Sequence, residues 1–296
     1  MSKKTIQTII SLWAPKCDIL DIELIIAYIL KKDRIFVMTH LEYALNENLF
    51  TKINFFCKKR ANGYPLAYII GTKEFYGRNF IVNKNTLIPR PETELMIDKI
   101  LSFITTHQLH NICIVDIGTG SGVISITLAK ELAKLNITPN IYAIDISTDA
   151  LSIAKQNAIT YGVTNKITFY ESNLLKNISL QTNLQHKNCS NIIFAVNLPY
   201  VDSSTKSDLL KNKESQSLIH EPQLALWSDD FGLSHYKKLI IQTTPFKKNI
   251  ISFYEIDPKQ SIHLTQYVQK TTSSNIKITY HKDLANKKRI FQWSFK

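Results

Sequence analysis

Apolar positions recur at helical spacing early in the chain. Ile19, Ile22, Ile25, Ile26 and Ile29 form one stripe, and Leu45, Leu49, Ile53 and Phe56 form a second. Asp33 opens a short polar break between them, so residues 1–60 read as helical. The pattern changes at Pro65. From PLAYIIGTKEFYG onward, β-branched and aromatic residues crowd around Gly71 and Gly77, which predicts extended structure with tight turns, a hairpin. A helix is then expected from about Glu94 to Thr106, capped by Thr93. Seven apolar runs follow that read as strands: residues 111–117, 140–144, 167–171, 191–196, 250–255, 276–280 and 289–293. Helical patterns separate several of them, at residues 123–135, at the Ser147-capped stretch bearing Leu151, Ala154 and Ala158, and at residues 260–268. Residues 177–190 read as a polar loop and 201–216 as a polar, mobile stretch. Alternation of strand and helix, with several strands apolar throughout, predicts a mostly parallel sheet and an α/β fold.

The same pattern divides the chain into a helical N-terminal domain at 1–64, a β-hairpin linker at 65–90 and a large α/β domain at 91–296. Pro89 and Pro91 bracket Arg90 and hold that segment extended, stiffening the rim of whatever site follows.

Two stretches carry chemistry. The first is VDIGTGSG. A strand ends at Asp116-Ile117, a turn follows through Gly118, Thr119, Gly120, Ser121 and Gly122, and a helix begins at Val123. Its glycines permit positive φ and let a ligand approach the backbone closely. The next strand ends in Asp145, a carboxylate placed to hydrogen-bond a ribose diol. Together they point to an adenosine-containing cofactor. The spacing is G-x-G-x-G, not the G-x-G-x-x-G of dinucleotide sites. Asp116 reads as a brace for the loop. The second stretch is Asn197-Leu198-Pro199-Tyr200, directly after the apolar run 191–196. An amide oxygen and a backbone carbonyl there can accept both N–H bonds of a planar NH2 group, and the Tyr200 ring gives that group a wall.

These motifs resemble class I S-adenosylmethionine-dependent methyltransferases, in which the glycine turn wraps the methionine part of the cofactor. Four patterns resemble more narrowly the protein-(glutamine-N5) methyltransferases that modify peptide-chain release factors: PLAYIIGTKEFYG, LIPRPETE, VDIGTGSG, and EPQLAL leading to DDFGL. The resemblance implies a Rossmann-like seven-stranded catalytic domain behind a small helical domain that docks the factor. It implies that residues 118–122, Asp145 and Asn197 bind S-adenosylmethionine, and that the stretch from Asn197 to Tyr200 grips the glutamine of the factor's GGQ loop, with Arg90 on the substrate side. Asn173 stands where the family commonly has an adenine-contacting Asp, and Leu174 beside it packs on the base. The family's usual N-P-P-Y is N-L-P-Y here. N-L-P-Y is typical of ribosomal-RNA adenine N6 dimethyltransferases, which keeps methylation of a nucleic-acid adenine open as the alternative. A binding module that has lost its chemistry is a third reading.

Composition changes this picture little. A formal net charge of +12 suits a translation partner or nucleic acid. It equally reflects a chain rich in Lys, Asn and Ile throughout. Cys17, Cys57, Cys113 and Cys189 form no C-x-x-C pair, which argues against a zinc knuckle and fits a reduced cytosol. The eight histidines lack metal-ligand spacing, so no metal is expected. No apolar run is long enough to span a bilayer, and the opening MSKKTIQTII has neither a long apolar region nor a cleavage site. The expectation is a cytoplasmic monomer with release factors as substrate, no membrane and no stable nucleic-acid complex.

Overall fold

A computed structural model describes residues 4–186, 189–246, 248–272 and 275–295. Chain contacts separate two units, Met1–Thr72 with Leu209–His220 and Lys73–Asp208 with Glu221–Lys296. Among the described residues, no helix is long and apolar enough to cross a membrane.

The first unit is helical. It comprises α1 (Ile6–Trp13), α2 (Ile19–Leu30), α3 (Arg34–Thr39), α4 (Glu47–Ala61) and α5 (Leu66–Ile70). Thr5, Asp18, Asp33 and Asn46 each accept a backbone N–H at the start of α1 to α4, so every one of these helices opens on a side-chain cap. The polar break at Asp33 is therefore the start of a helix. Ile22, Ile25 and Ile26 of the first stripe and Leu45 and Ile53 of the second are buried together with Ile6, Ile9 and Cys57, whereas Ile19 is exposed.

The second unit begins with the hairpin β1 (Thr72–Phe75) and β2 (Arg78–Ile81), then α6 (Glu92–Thr106), β3 (Ile112–Ile117), α7 (Val123–Lys134), β4 (Asn140–Asp145), α8 (Thr148–Thr160) and β5 (Ile167–Glu171). It continues through α9 (Ile178–His186), β6 (Asn191–Val196), β7 (Val201–Asp202), α10 (Lys206–Lys211, whose last three residues group with the first unit), β8 (Trp227–Ser228), α11 (Asp229–Gly232), α12 (Ser234–Thr243), β9 (Asn249–Glu255), α13 (Ser261–Thr271), β10 (Lys277–Lys282) and β11 (Lys288–Phe295). The expected seven-stranded sheet has the order β10-β11-β9-β6-β3-β4-β5, parallel from β9 to β5 with β11 antiparallel to both its neighbours. Successive residues of β3 go to opposite faces. Cys113, Val115 and Ile117 pack with buried side chains of α9, α12 and α13. Ile112 and Ile114 pack with α6, α7 and the hairpin residues Phe75 and Phe80. Both faces are covered, so the central strands are apolar throughout.

One buried amide joins the hairpin to this layer. Asn157 of α8 accepts from the Ile81 N–H at 2.8 Å, donates to the Ile81 carbonyl at 3.0 Å, and donates to the Ser121 carbonyl at 2.8 Å.

Four expectations need correcting. Thr93 is not the cap of α6: Pro91 is already helical at φ −58° and ψ −34°, so the helix starts at Glu92 and Thr93 lies buried in its first turn. Residues 66–70 are helical rather than extended, opened by Pro65 and closed by Gly71 at φ +82°. Residues 177–190 are not all loop. Asn177 caps α9, and Leu180 and Leu184 supply a buried pair one turn apart, a thin apolar signal in a polar segment; residues 187–188 lie outside the described chain. The 201–216 stretch contains β7, α10 and short 3-10 turns, whose few residues leave little periodicity to read.

Candidate active site

Register explains how distant motifs meet. Ile117 pairs with both Ile144 and Val196, and Val196 pairs with Tyr254. The next residue on each strand is therefore level with its neighbours: Gly118, Asp145, Asn197 and Glu255 form a row across the carboxyl edge. The order reverses between β3 and β6, which is where open α/β sheets bind ligands.

At the first corner a carboxylate serves the backbone. Gly122 precedes α7 at φ +83° and has no side chain to cap it. Asp116 does so from the strand: its Oδ2 accepts the Ser125 N–H at 3.0 Å and the Thr119 hydroxyl at 2.6 Å. Burial pushes the Asp116 carboxyl up to about 6 despite these bonds. Its Oδ1 has no protein partner among the described residues. Asp145 holds the same turn from the side. One oxygen accepts the Gly120 N–H at 2.9 Å and the other accepts the Ser147 N–H at 2.9 Å. Burial raises its pKa and these N–H bonds oppose the rise.

At the second corner a carboxylate serves side chains. Glu255 is buried, and burial raises its pKa. Its Oε2 accepts the Thr93 hydroxyl at 2.6 Å and the Asn197 amide N–H at 3.1 Å, and its Oε1 accepts the Tyr200 hydroxyl at 3.2 Å. Asn197 also donates to the Thr93 oxygen at 3.1 Å. Both contacts engage Nδ2, which leaves Oδ1 for an incoming donor. Burial, reinforced by Glu255, lifts the Tyr200 phenol far above its usual range. Leu198 is buried, and its carbonyl accepts the Tyr236 hydroxyl at 3.2 Å.

The backbone after the motif is held as tightly. Gln260 Nε2 donates to the carbonyls of Tyr200 and Phe231, each at 2.8 Å. Asp230 and Phe231 both have positive φ, and Gly232 follows at φ +80°. A Cβ on Gly232 would lie 2.0 Å from the Tyr200 carbonyl oxygen, so only glycine fits.

A cavity of about 370 Å³ opens between these corners. Of the residues singled out from sequence, Gly118, Gly120, Asp145, Asn197, Leu198 and Pro199 line it. Thr119, Ser121 and Gly122 form the buried underside of the turn. Asn173 is exposed beyond β5, and Leu174 sits in the core at φ +57°. Arg90 is engaged by a carboxylate: it donates to Glu221 Oε1 at 2.8 Å, while the Ile88 N–H donates to Oε2 at 3.1 Å. LIPRPETE and EPQLAL are thus two halves of one wall, to which Pro222 and Leu224 add lining residues that the sequence did not single out. Glu255, Thr93 and Tyr236 were also missed as site residues. The only available signal was an acid at a strand's carboxyl end.

Comparison with known proteins decides the family. Residues 18–71 match the PrmC N-terminal domain, and residues 109–216 match a methyltransferase domain. A release factor glutamine methyltransferase of Buchnera aphidicola is 36% identical over 238 residues, covering 80% of this chain and 77% of that protein. The chain belongs to the release factor glutamine methyltransferases. It is also 30% identical over 303 residues to a bifunctional methyltransferase of Rickettsia bellii, covering 93% of this chain but 51% of that protein, so it spans about half the length of such relatives. The hMettl16 catalytic domain in complex with a MAT2A 3′UTR hairpin superposes with a TM-score of 0.56 at 14% identity, over 91% of this chain and 89% of that one, a likeness of fold.

The methyltransferase family implies S-adenosylmethionine as methyl donor, and the residues present fit it. The turn offers open backbone at Gly120, a carboxylate lines the cavity at Asp145, and the unpartnered Asp116 Oδ1 remains beneath the turn to compensate a cation.

Proposed function

We propose that this chain transfers a methyl group from S-adenosylmethionine to the side-chain amide N5 of the glutamine in the GGQ loop of peptide-chain release factors. The observation that carries the reading is the Asn197 amide, whose nitrogen is tied to Glu255 and Thr93 while its oxygen is left over on a residue that lines the cavity. An oxygen acceptor at that place suits an NH2 donor and repels a carbonyl. The Leu198 carbonyl supplies a second acceptor, its other lone pair being taken by Tyr236.

The bound cofactor supplies an electrophilic methyl group. An amide nitrogen is a weak nucleophile, and no side chain here is basic enough to deprotonate it first. The protein's contribution is therefore orientation and electrostatics. Asn197 Oδ1 and the Leu198 carbonyl take the two N–H bonds and align the nitrogen. Tyr200 walls the amide plane, and Pro199 stiffens the turn. Gly118 and Gly120 keep the cofactor side open, with Asp145 toward the ribose and Thr119, Ser121 and Gly122 shaping the turn from below. Asn173, exposed just beyond β5, is left to meet the adenine, while Leu174 stays in the core. Arg90 acts on the substrate side by fixing the wall it shares with Glu221. The helical region docks the factor, and the chain acts as a monomer without a stable nucleic-acid complex.

Mass spectrometry of the GGQ peptide, after incubation with S-adenosylmethionine and purified release factor, tests this. One added methyl on the glutamine is the expected result. No addition there, with transfer to adenine in ribosomal RNA, would overturn it in favour of the N-L-P-Y alternative.

A further inference from the structure

Resting on that reading, we propose that Glu255 is a positioning residue for the methyl transfer, acting through Asn197: its ionised carboxylate holds the amide with oxygen outward and places a fixed negative charge behind the acceptor nitrogen. Nothing in the motif itself specifies which way the Asn197 amide turns. The surroundings do. Three donors converge on this one buried carboxylate, from Thr93, Asn197 and Tyr200. With the Thr93 proton committed to Glu255, the Thr93 oxygen is free to accept from Asn197 as well. A flipped amide would set its oxygen against a carboxylate oxygen.

The arrangement also fits the charge movement of the reaction. Positive charge passes from the sulfonium to the amide nitrogen, which then loses a proton to water. The methyl–sulfur bond breaks as the methyl–nitrogen bond forms, and the sulfur keeps the electron pair. A carboxylate in hydrogen bond to Asn197 strengthens Oδ1 as an acceptor while the substrate N–H becomes acidic. Protonated Glu255 would be a donor itself. One of its three partners would then face donor to donor; the Tyr200 or Thr93 hydroxyl relieves this by turning to accept, and the negative charge behind Asn197 is lost.

The groups around Glu255 limit its titration. Thr93 on α6, and Asn197 and Tyr200 after β6, favour the anion by hydrogen bonding. Arg289 on β11 also favours the anion, whereas Glu92 on α6 opposes it. Tyr236 on α12 reaches the Glu255 backbone carbonyl and not its carboxylate. Burial outweighs these and sets the carboxyl above its ordinary range, so protonation begins at a higher pH than for an exposed glutamate.

The test is Glu255→Gln in the full-length protein, nearly the same size but without charge. Wild-type turnover on purified release factor is measured first. If the methyl appears on a different NH2 acceptor, the glutamine reading fails on its own and the comparison proceeds with that acceptor. The expected result is a kcat lower by about 100-fold, with cofactor dissociation constant by titration calorimetry within about threefold. The acid limb of the wild-type kcat profile should shift in the variant, the part that is left belonging to Asp116 at the cofactor turn. Thr93→Val, which keeps the carboxylate, should lower kcat about tenfold with the same split and serves should the first variant not fold. A kcat within threefold of wild type, a parallel loss of cofactor affinity, or an unmoved acid limb would each overturn the proposal.

Discussion

Two corners of the same sheet edge each bury a carboxylate, and they use it differently. Asp116 spends its bonds on Ser125 N–H and the Thr119 hydroxyl, so it fixes the path of the chain. Glu255 bonds Thr93, Asn197 and Tyr200, so it fixes the orientation of functional side chains. A carboxylate under a backbone turn makes a cradle whose shape is set once the turn forms. A carboxylate behind side chains makes a surface whose donor and acceptor pattern depends on its protonation. Cofactor recognition tolerates the first kind of control; aligning a weak nucleophile needs the second.

The largest expected break comes from Asn197→Ala. Turnover should fall by about 1,000-fold or more, while cofactor affinity by calorimetry changes less than about tenfold. Equal losses would mean that the two corners do not divide the work. Gly118→Ala should damage both corners together. Gly118 has φ +73°, and a Cβ there would sit 3.1 Å from Leu198 Cδ2. The expected cost is about 1–2 kcal/mol of stability in denaturant unfolding, with weaker cofactor binding.

Asp116→Asn addresses the first corner through pH. Because folding raises this carboxyl to about 6, its contribution to stability is fully present below the unfolded carboxylate pKa and is lost as pH rises through about 6. The variant should therefore show a flatter melting-temperature profile between pH 4 and pH 7. The smallest effect is expected from Leu198→Pro, which restores the usual family motif. The Tyr236 hydroxyl reaches the Leu198 carbonyl, not its N–H, so kcat should stay within about threefold.

Legibility in the sequence followed the same division. VDIGTGSG is local: strand, turn, helix and the bracing Asp116 fall within one short stretch, so the cradle could be read directly. So could the parallel sheet, because strands covered on both faces are apolar throughout. The second corner could not be read. Thr93, Asn197 and Glu255 lie far apart along the chain, and only the pairing of β6 with β9 and the packing of α6 bring them together. Thr93 suited a helix cap by type and position, but Pro91 had already begun the helix. Arg90 suited a substrate contact, yet its charge is met by Glu221, a pairing hidden until EPQLAL folds against LIPRPETE.

Asn157 ties the hairpin and the glycine turn together in a way that hydrogen exchange would register. Its amide meets the Ile81 N–H and carbonyl as a neighbouring strand would, and the same group holds the Ser121 carbonyl. Opening one attachment strands a buried polar amide unless the other opens too. The Ile81 amide proton and those of the glycine turn should therefore exchange through a shared opening event. Asn157→Ala would uncouple their rates and leave the Ile81 N–H and carbonyl without this partner.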